Sequence, residues 1–286
     1  VEDRGFIGFA LHPNFLLNGL AYMAYVFEPN GNPGDASPKI SRVTRVTADP
    51  LNLNVTLPSS EVILLQIPAE GVGHTVDSIL FGQDGKMFVS SGDDGSAQFA
   101  EPASLRAQDL NSLDGKILRL NEDGSAPGDN PFDDGTNSIR SMVYSYGVRN
   151  PYRITLHPTT FELYLGDVGW NTWEEFNRGK GKNFGWPCYE GALPQPLYQS
   201  SYPTQCAAVA SDPLLTLPLL TYDHSIGQAA VGGPFYTGTV YPEQYRNNWF
   251  VSDYGASWIR RLIFDAAGNL TSSPFFATNA GAPVAI

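Results

Sequence analysis

Short runs of β-branched and aromatic residues, each closed by turn residues, recur along the chain. Lys86-Met87-Phe88-Val89-Ser90-Ser91 follows the turn Gln83-Asp84-Gly85 and ends at Gly92-Asp93. Phe161-Glu162-Leu163-Tyr164-Leu165 ends in the same way at Gly166-Asp167, and Asn248-Trp249-Phe250-Val251 ends at Ser252-Asp253. An earlier relative runs from Leu20 to Val26 after Asn18-Gly19. Runs of this length, bounded by Asp-Gly or Asn-Gly, predict strands joined by tight turns. No stretch sustains a helical period with caps, so helices are expected to be few and short. The copies return roughly every 65 to 85 residues, which predicts an all-β propeller whose blades carry loop insertions rather than a sandwich. Nothing in the composition divides the chain, so one domain over residues 1–286 is expected.

Composition narrows the class. Hydrophobic residues make up 42% of the 286 positions and charged residues 16%, enough apolar surface for a large core. No apolar run reaches the roughly 18 residues of a membrane span. The net charge of −12, with no cluster of Lys and Arg, argues against a nucleic-acid partner. The two cysteines, Cys188 and Cys206, flank a polar loop without metal-ligand spacing. That pattern predicts a disulfide and therefore a secreted or periplasmic protein.

Several polar motifs sit where strands end. His74, in Gly73-His74-Thr75-Val76-Asp77, precedes a predicted strand and is a candidate general base. Arg149-Asn150-Pro151 follows another predicted strand. The stretch from Gly166 to Asn177 holds the paired Glu174-Glu175, asparagines and backbone carbonyls, an oxygen-rich set suited to a hard cation such as calcium. Asp93-Asp94-Gly95 reads as a solvated acidic turn, and Lys116 and Arg119 as surface positions on a strand. His12 and His157 read as structural, and His224 opens a loop able to approach the predicted site.

Taken in order, these motifs resemble the glucose/sorbosone dehydrogenase family. The resemblance rests on Arg4-Gly5-Phe6-Ile7-Gly8-Phe9-Ala10-Leu11-His12-Pro13, the His74 motif, Asn111 to Arg119, Arg149-Asn150-Pro151, Gly166 to Asn177 and Gly185-Trp186-Pro187. It implies a six-bladed β-propeller that oxidises aldose sugars at C1 with pyrroloquinoline quinone (PQQ) and calcium. Carried over by position, His74 would take the C1 hydroxyl proton, and Arg149 and Asn150 would touch the quinone. Asp3 would be a polar residue at the mouth. The carbonyls of Gly169 and Trp170 and the carboxylate of Glu174 would lie near calcium.

The chain departs from that pattern where the quinone enzymes carry a Lys and, later, an Arg-x-Arg pair. Asp253-Tyr254-Gly255 and Gly281-Ala282-Pro283 stand there instead. Glu2-Asp3-Arg4-Gly5-Phe6, Gly166 to Glu175 and Gly232 to Gly238 are similar to a branch of the family that includes the Hedgehog-interacting protein propeller. That branch implies a second function class: a non-catalytic extracellular module that binds a protein partner or assembles through open sheet edges. The resemblance also leads us to expect a ring incomplete at both ends.

Overall fold

A computed structural model describes residues 4–32, 39–71, 73–95 and 98–286. The expectation for Asp3 lies outside the described residues. The chain forms two compact units, 1–146 and 147–286.

The first unit holds two antiparallel sheets. One joins β1 (Phe6–Leu11), β2 (Leu20–Phe27), β3 (Lys39–Asp49) and β4 (Asn52–Thr56), with β5 (Val62–Ala69) also on β3. The other runs β6 (Val76–Phe81), β7 (Met87–Ser91), β8 (Lys116–Leu120) and β9 (Val143–Tyr146) in simple succession. Tyr22, Val43, Met87, Leu118 and Val143 meet in one buried core. The chain reverses between β6 and β7 at Gln83-Asp84-Gly85, where Gly85 has φ +74°, the left-handed conformation a tight turn asks of glycine.

The second unit repeats the plan. Its first sheet takes β10 (Arg153–Leu156), β11 (Leu163–Asp167) and β12 (Trp173–Arg178). A short hairpin, β13 (Tyr189–Glu190) with β14 (Leu193–Pro194), and two short helices, α1 (Pro196–Ser201) and α2 (Pro203–Ala210), are inserted before β15 (Leu220–Asp223) completes that sheet. The last sheet runs β16 (Ala230–Phe235), β17 (Trp249–Asp253), β18 (Trp258–Phe264) and β19 (Leu270–Ser272), with β20 (Phe275–Ala277) also on β18. Its core is aromatic: Tyr164 and Phe176 each meet Trp249 edge-on, at 5.1 and 5.4 Å between centroids. Such edge-to-face pairs add about 0.5–1.5 kcal/mol each beyond the area they bury.

Cys188 and Cys206 form a disulfide that ties the hairpin to α2. No helix among the described residues is long and apolar enough to cross a membrane.

All four repeated runs in the sequence are strands, namely β2, β7, β11 and β17. One expectation is corrected. Lys116 and Arg119 lie on β8 as read, yet neither serves the surface, because all five residues of β8 are buried. A strand covered on both faces leaves no solvent side for its polar positions.

Candidate functional site

In the first unit, His74 sits in the left-handed region at φ +52°, packed against the turn that follows β7. Gly92 makes this approach possible, since a Cβ there would collide with the His74 carbonyl. The Thr75 carbonyl accepts from Gly92 N–H and the His74 carbonyl from Asp94 N–H, which fixes the segment. The buried imidazole then meets Asp93, with Nδ1 2.8 Å from Oδ1. Gly95 N–H donates to the same carboxylate oxygen at 2.9 Å. An imidazole held at Nδ1 by a carboxylate is oriented to do its proton chemistry at Nε2.

The acidic turn is therefore not solvated, which corrects the reading from sequence: Asp93 and Asp94 are 1% and 4% exposed. Asp94 accepts from Glu70 and Gly71 N–H at 2.8 and 3.0 Å. Burial outweighs those bonds and pushes its carboxyl up to about 6. Arg106 lies between Asp94 (3.3 Å) and Asp114 (3.0 Å). Beneath them Lys116 Nζ donates to the carbonyls of Arg106, Ala107 and Asp114 at 2.7–3.0 Å. Full burial pushes this ammonium down to about 7.

In the second unit, the turn after β9 carries Arg149 and Asn150. Both backbone N–H groups donate to the Asp167 carboxylate at the end of β11, at 3.0 and 2.7 Å. The buried Arg149 side chain reaches over the next loop, where Nη1 donates to the carbonyls of Val168 (3.1 Å) and Gly169 (2.6 Å). Its guanidinium also lies 5.6 Å from the Trp186 ring centroid.

Glu174 and Glu175 are not a loop pair. They are adjacent on β12, so their side chains point to opposite faces. Glu174 accepts from Gly169 N–H (3.1 Å) and Ala230 N–H (2.8 Å) and pairs with His224 Nε2 at 3.0 Å. Burial raises its carboxyl above the usual range, while the His224 bond raises the imidazole. Glu175 accepts from Asn177 Nδ2 and Gly191 N–H. Burial, with Asp167 nearby, holds its carboxyl well above the ordinary value.

Sequence reasoning missed the residue that shapes this loop. Glu190 Oε1 accepts from the four successive N–H groups of Trp170, Asn171, Thr172 and Trp173, at 2.8–3.1 Å. Its position two residues after Cys188 was the available signal, because the disulfide anchors that hairpin.

The residues expected to hold the quinone and calcium do not fit them here. PQQ brings three carboxylates, and burying that charge without cations costs several kcal/mol. Arg149 is already bonded to loop carbonyls. At the two positions where the quinone enzymes carry cations stand Asp253, which accepts from Tyr222 Oη, Ala229 N–H and Ala256 N–H, and the stretch Gly281-Ala282-Pro283. Nor is the oxygen set vacant, since Gly169 O and both Glu174 oxygens have partners within the chain. No cluster of three or more His, Cys, Asp or Glu arranged to hold a metal occurs among the described residues.

Four- and five-stranded antiparallel sheets, with a carboxylate-held histidine before β6 in the first unit and buried carboxylates on β11, β12 and β13 in the second, make an all-β fold shared with solved sugar dehydrogenases. A solved glucose dehydrogenase superposes over 98% of this chain and 74% of its own, with a TM-score of 0.76 at 22% identity. The chain belongs to the glucose/sorbosone dehydrogenase family, whose profile matches residues 1–284.

Among curated relatives, the HIPL2 protein of Arabidopsis thaliana is 28% identical over 94% of the chain and 45% of its own length. Quinoprotein glucose dehydrogenase B of Acinetobacter calcoaceticus is 30% identical over 66% of the chain and 41% of its own. The mouse Hedgehog-interacting protein is 26% identical over 57% of the chain and 24% of its own. The chain thus spans less than half the length of these relatives.

Proposed function

We propose that this chain is a sugar-binding propeller module of the glucose/sorbosone dehydrogenase family, with His74 and Asp93 at the polar centre of its ligand site. The His74–Asp93 pair is the observation that carries this reading. A buried imidazole oriented by a carboxylate meets a sugar hydroxyl in a fixed direction, with little ordering left to do on binding. The sugar class comes from the names of the dehydrogenase relatives. We read the four sheets as blades of a six-bladed propeller and the chain as part of one propeller domain. The disulfide supports an extracytoplasmic setting. Arg149, Asn150, Gly169, Trp170 and Glu174 are read as parts of a loop region tied together within the second unit, not as holders of PQQ and calcium.

The same dyad favours a second reading, oxidation of an aldose at C1 as in the quinoprotein relatives. His74 would then receive the hydroxyl proton, and the bound quinone, if other residues held it, would be the hydride acceptor. The protein-binding role suggested by the Hedgehog-interacting relative has no comparable group behind it among the described residues.

Calorimetric titration with aldoses, alongside assays containing PQQ, calcium and an artificial electron acceptor, separates the readings. We expect sugar binding that His74→Ala weakens at least about tenfold, the loss of one good hydrogen-bonded contact, and no dye reduction. Dye reduction that His74→Ala abolishes would establish the oxidase instead. Absence of any sugar binding would refute the module reading.

A further inference from the structure

Negative charge is gathered around the loop after β11, on the flanking strands β11 and β12 and on β13. Asp167, Glu174, Glu175 and Glu190 are all at most 6% exposed. Backbone N–H groups answer much of that charge: two on Asp167, two on Glu174, one on Glu175 and four on Glu190. The carbonyl oxygens of the same loop need a positive partner of their own, and Arg149 Nη1 lies within hydrogen-bond distance of both Val168 O and Gly169 O. The family resemblance places calcium beside the Gly169 carbonyl and the Glu174 carboxylate. In this chain the first has a guanidinium and the second has two N–H groups and His224.

We infer that Arg149 is the built-in cation of this loop, standing where the family pattern calls for calcium, so that the loop is ordered without a metal ion. A guanidinium suits this position because it stays charged at every accessible pH, is weakly hydrated, and presents several donors in one rigid plane. Two carbonyls on one nitrogen bind it from one side, while the Trp186 ring lies near the guanidinium carbon. His224 completes the arrangement on the Glu174 side, where a second cation would otherwise be needed. Gly169 is the residue that lets the loop fold so closely, because a Cβ there would collide with the Trp173 carbonyl. Only calcium and this loop are at stake, independently of whether a sugar binds at His74.

Thermal unfolding of the protein in excess chelator and in millimolar calcium chloride is the test, with Arg149→Met and Arg149→Lys run beside the wild type. The wild type is expected to melt at the same temperature, within about 1 °C, in both conditions, since a ligand that does not bind the native state cannot shift its stability. Arg149→Met is expected to melt several degrees lower in chelator and to recover part of that loss in calcium, as the carbonyls accept an ion in place of the guanidinium. Arg149→Lys, with a point charge in place of the fork, is expected to fall between the two. A wild-type melting temperature that drops by more than about 5 °C in chelator would overturn the inference. So would an Arg149→Met protein indifferent to calcium. Should Arg149→Met fail to fold, the wild-type comparison decides the matter alone.

Discussion

The two polar loop regions of this chain manage buried charge by different means. Around His74, in the first unit, side chains share the carboxylates with backbone: Asp93 holds the imidazole beside one N–H, and Arg106 lies against both Asp114 and Asp94, the latter also bonded to two N–H groups. Around Glu174, in the second unit, carboxylates meet mostly backbone, with His224 and Asn177 as side-chain partners of Glu174 and Glu175. Glu190 alone receives four consecutive N–H groups, and Asp167 receives two from neighbouring residues. The first arrangement fixes the orientation of an imidazole. The second converts negative charge into loop shape.

If Glu190 shapes the second region, Glu190→Ala should produce the largest loss in the molecule. Hydrogen bonds to charged groups contribute about 1.5–3 kcal/mol each and do not add fully, so we expect a loss on the order of 4 kcal/mol. Urea denaturation measures it, and a loss below about 1 kcal/mol would remove Glu190 from that role.

The disulfide that anchors the same hairpin closes a loop of sequence separation 18. Its removal by Cys188→Ser with Cys206→Ser should cost about 3 kcal/mol by the same measurement.

The first region should reveal itself through pH. Lys116 is pushed from 10.5 down to about 7 by burial. Between those values the unfolded chain binds the proton that the folded chain has released, so this residue makes stability rise as pH rises from 7 towards 10. Lys116→Met should flatten that rise, which denaturation at pH 7, 8 and 9 resolves. Asp94 acts in the opposite direction at lower pH. Its carboxyl titrates at about 6 instead of 3.8, so stability falls as pH rises through that window, and Asp94→Asn should remove the fall.

The smallest expected effect belongs to His224. Its imidazole is raised by Glu174, so the pair contributes fully below the unfolded value of 6.5 and loses its contribution as pH climbs past the folded one. The His224 side chain is 25% exposed, and solvent screening limits the gain to about 1 kcal/mol or less. His224→Gln should therefore destabilise at pH 5.5 and leave stability at pH 8.5 nearly unchanged.

Much of this fold was legible because its strands advertise themselves. β11 and β17 each end at an aspartate next to Gly or Ser, β7 ends two residues before one, and their apolar runs have strand length. The expectation that charged residues on a strand serve the surface failed at β8, where Lys116 and Arg119 are buried. Both faces of that strand are covered, and the two charges are answered by carbonyls and carboxylates that pattern alone does not locate.

Among the candidate residues, His74, Arg149 and Glu174 were reached through the ordered motifs of the family resemblance, since each alone is a weak signal. Asp93 was visible only as part of a turn, and its contact with His74 depends on how Gly92 lets two segments approach. Glu190 carried only its position beside Cys188 as a signal, because its partners are N–H groups that every residue but proline possesses. Glu174 and Glu175 looked like a pair in sequence, and β12 separates them onto opposite faces.

The most direct test of the central claim, that the second region's charges are engaged within the chain and do not hold a redox cofactor, is a titration of the protein with PQQ. Absorbance would be followed with calcium present and with calcium chelated. The account predicts no saturable binding at micromolar quinone in either condition. Saturation at one equivalent that depends on calcium, and that Arg149→Met abolishes, would contradict it.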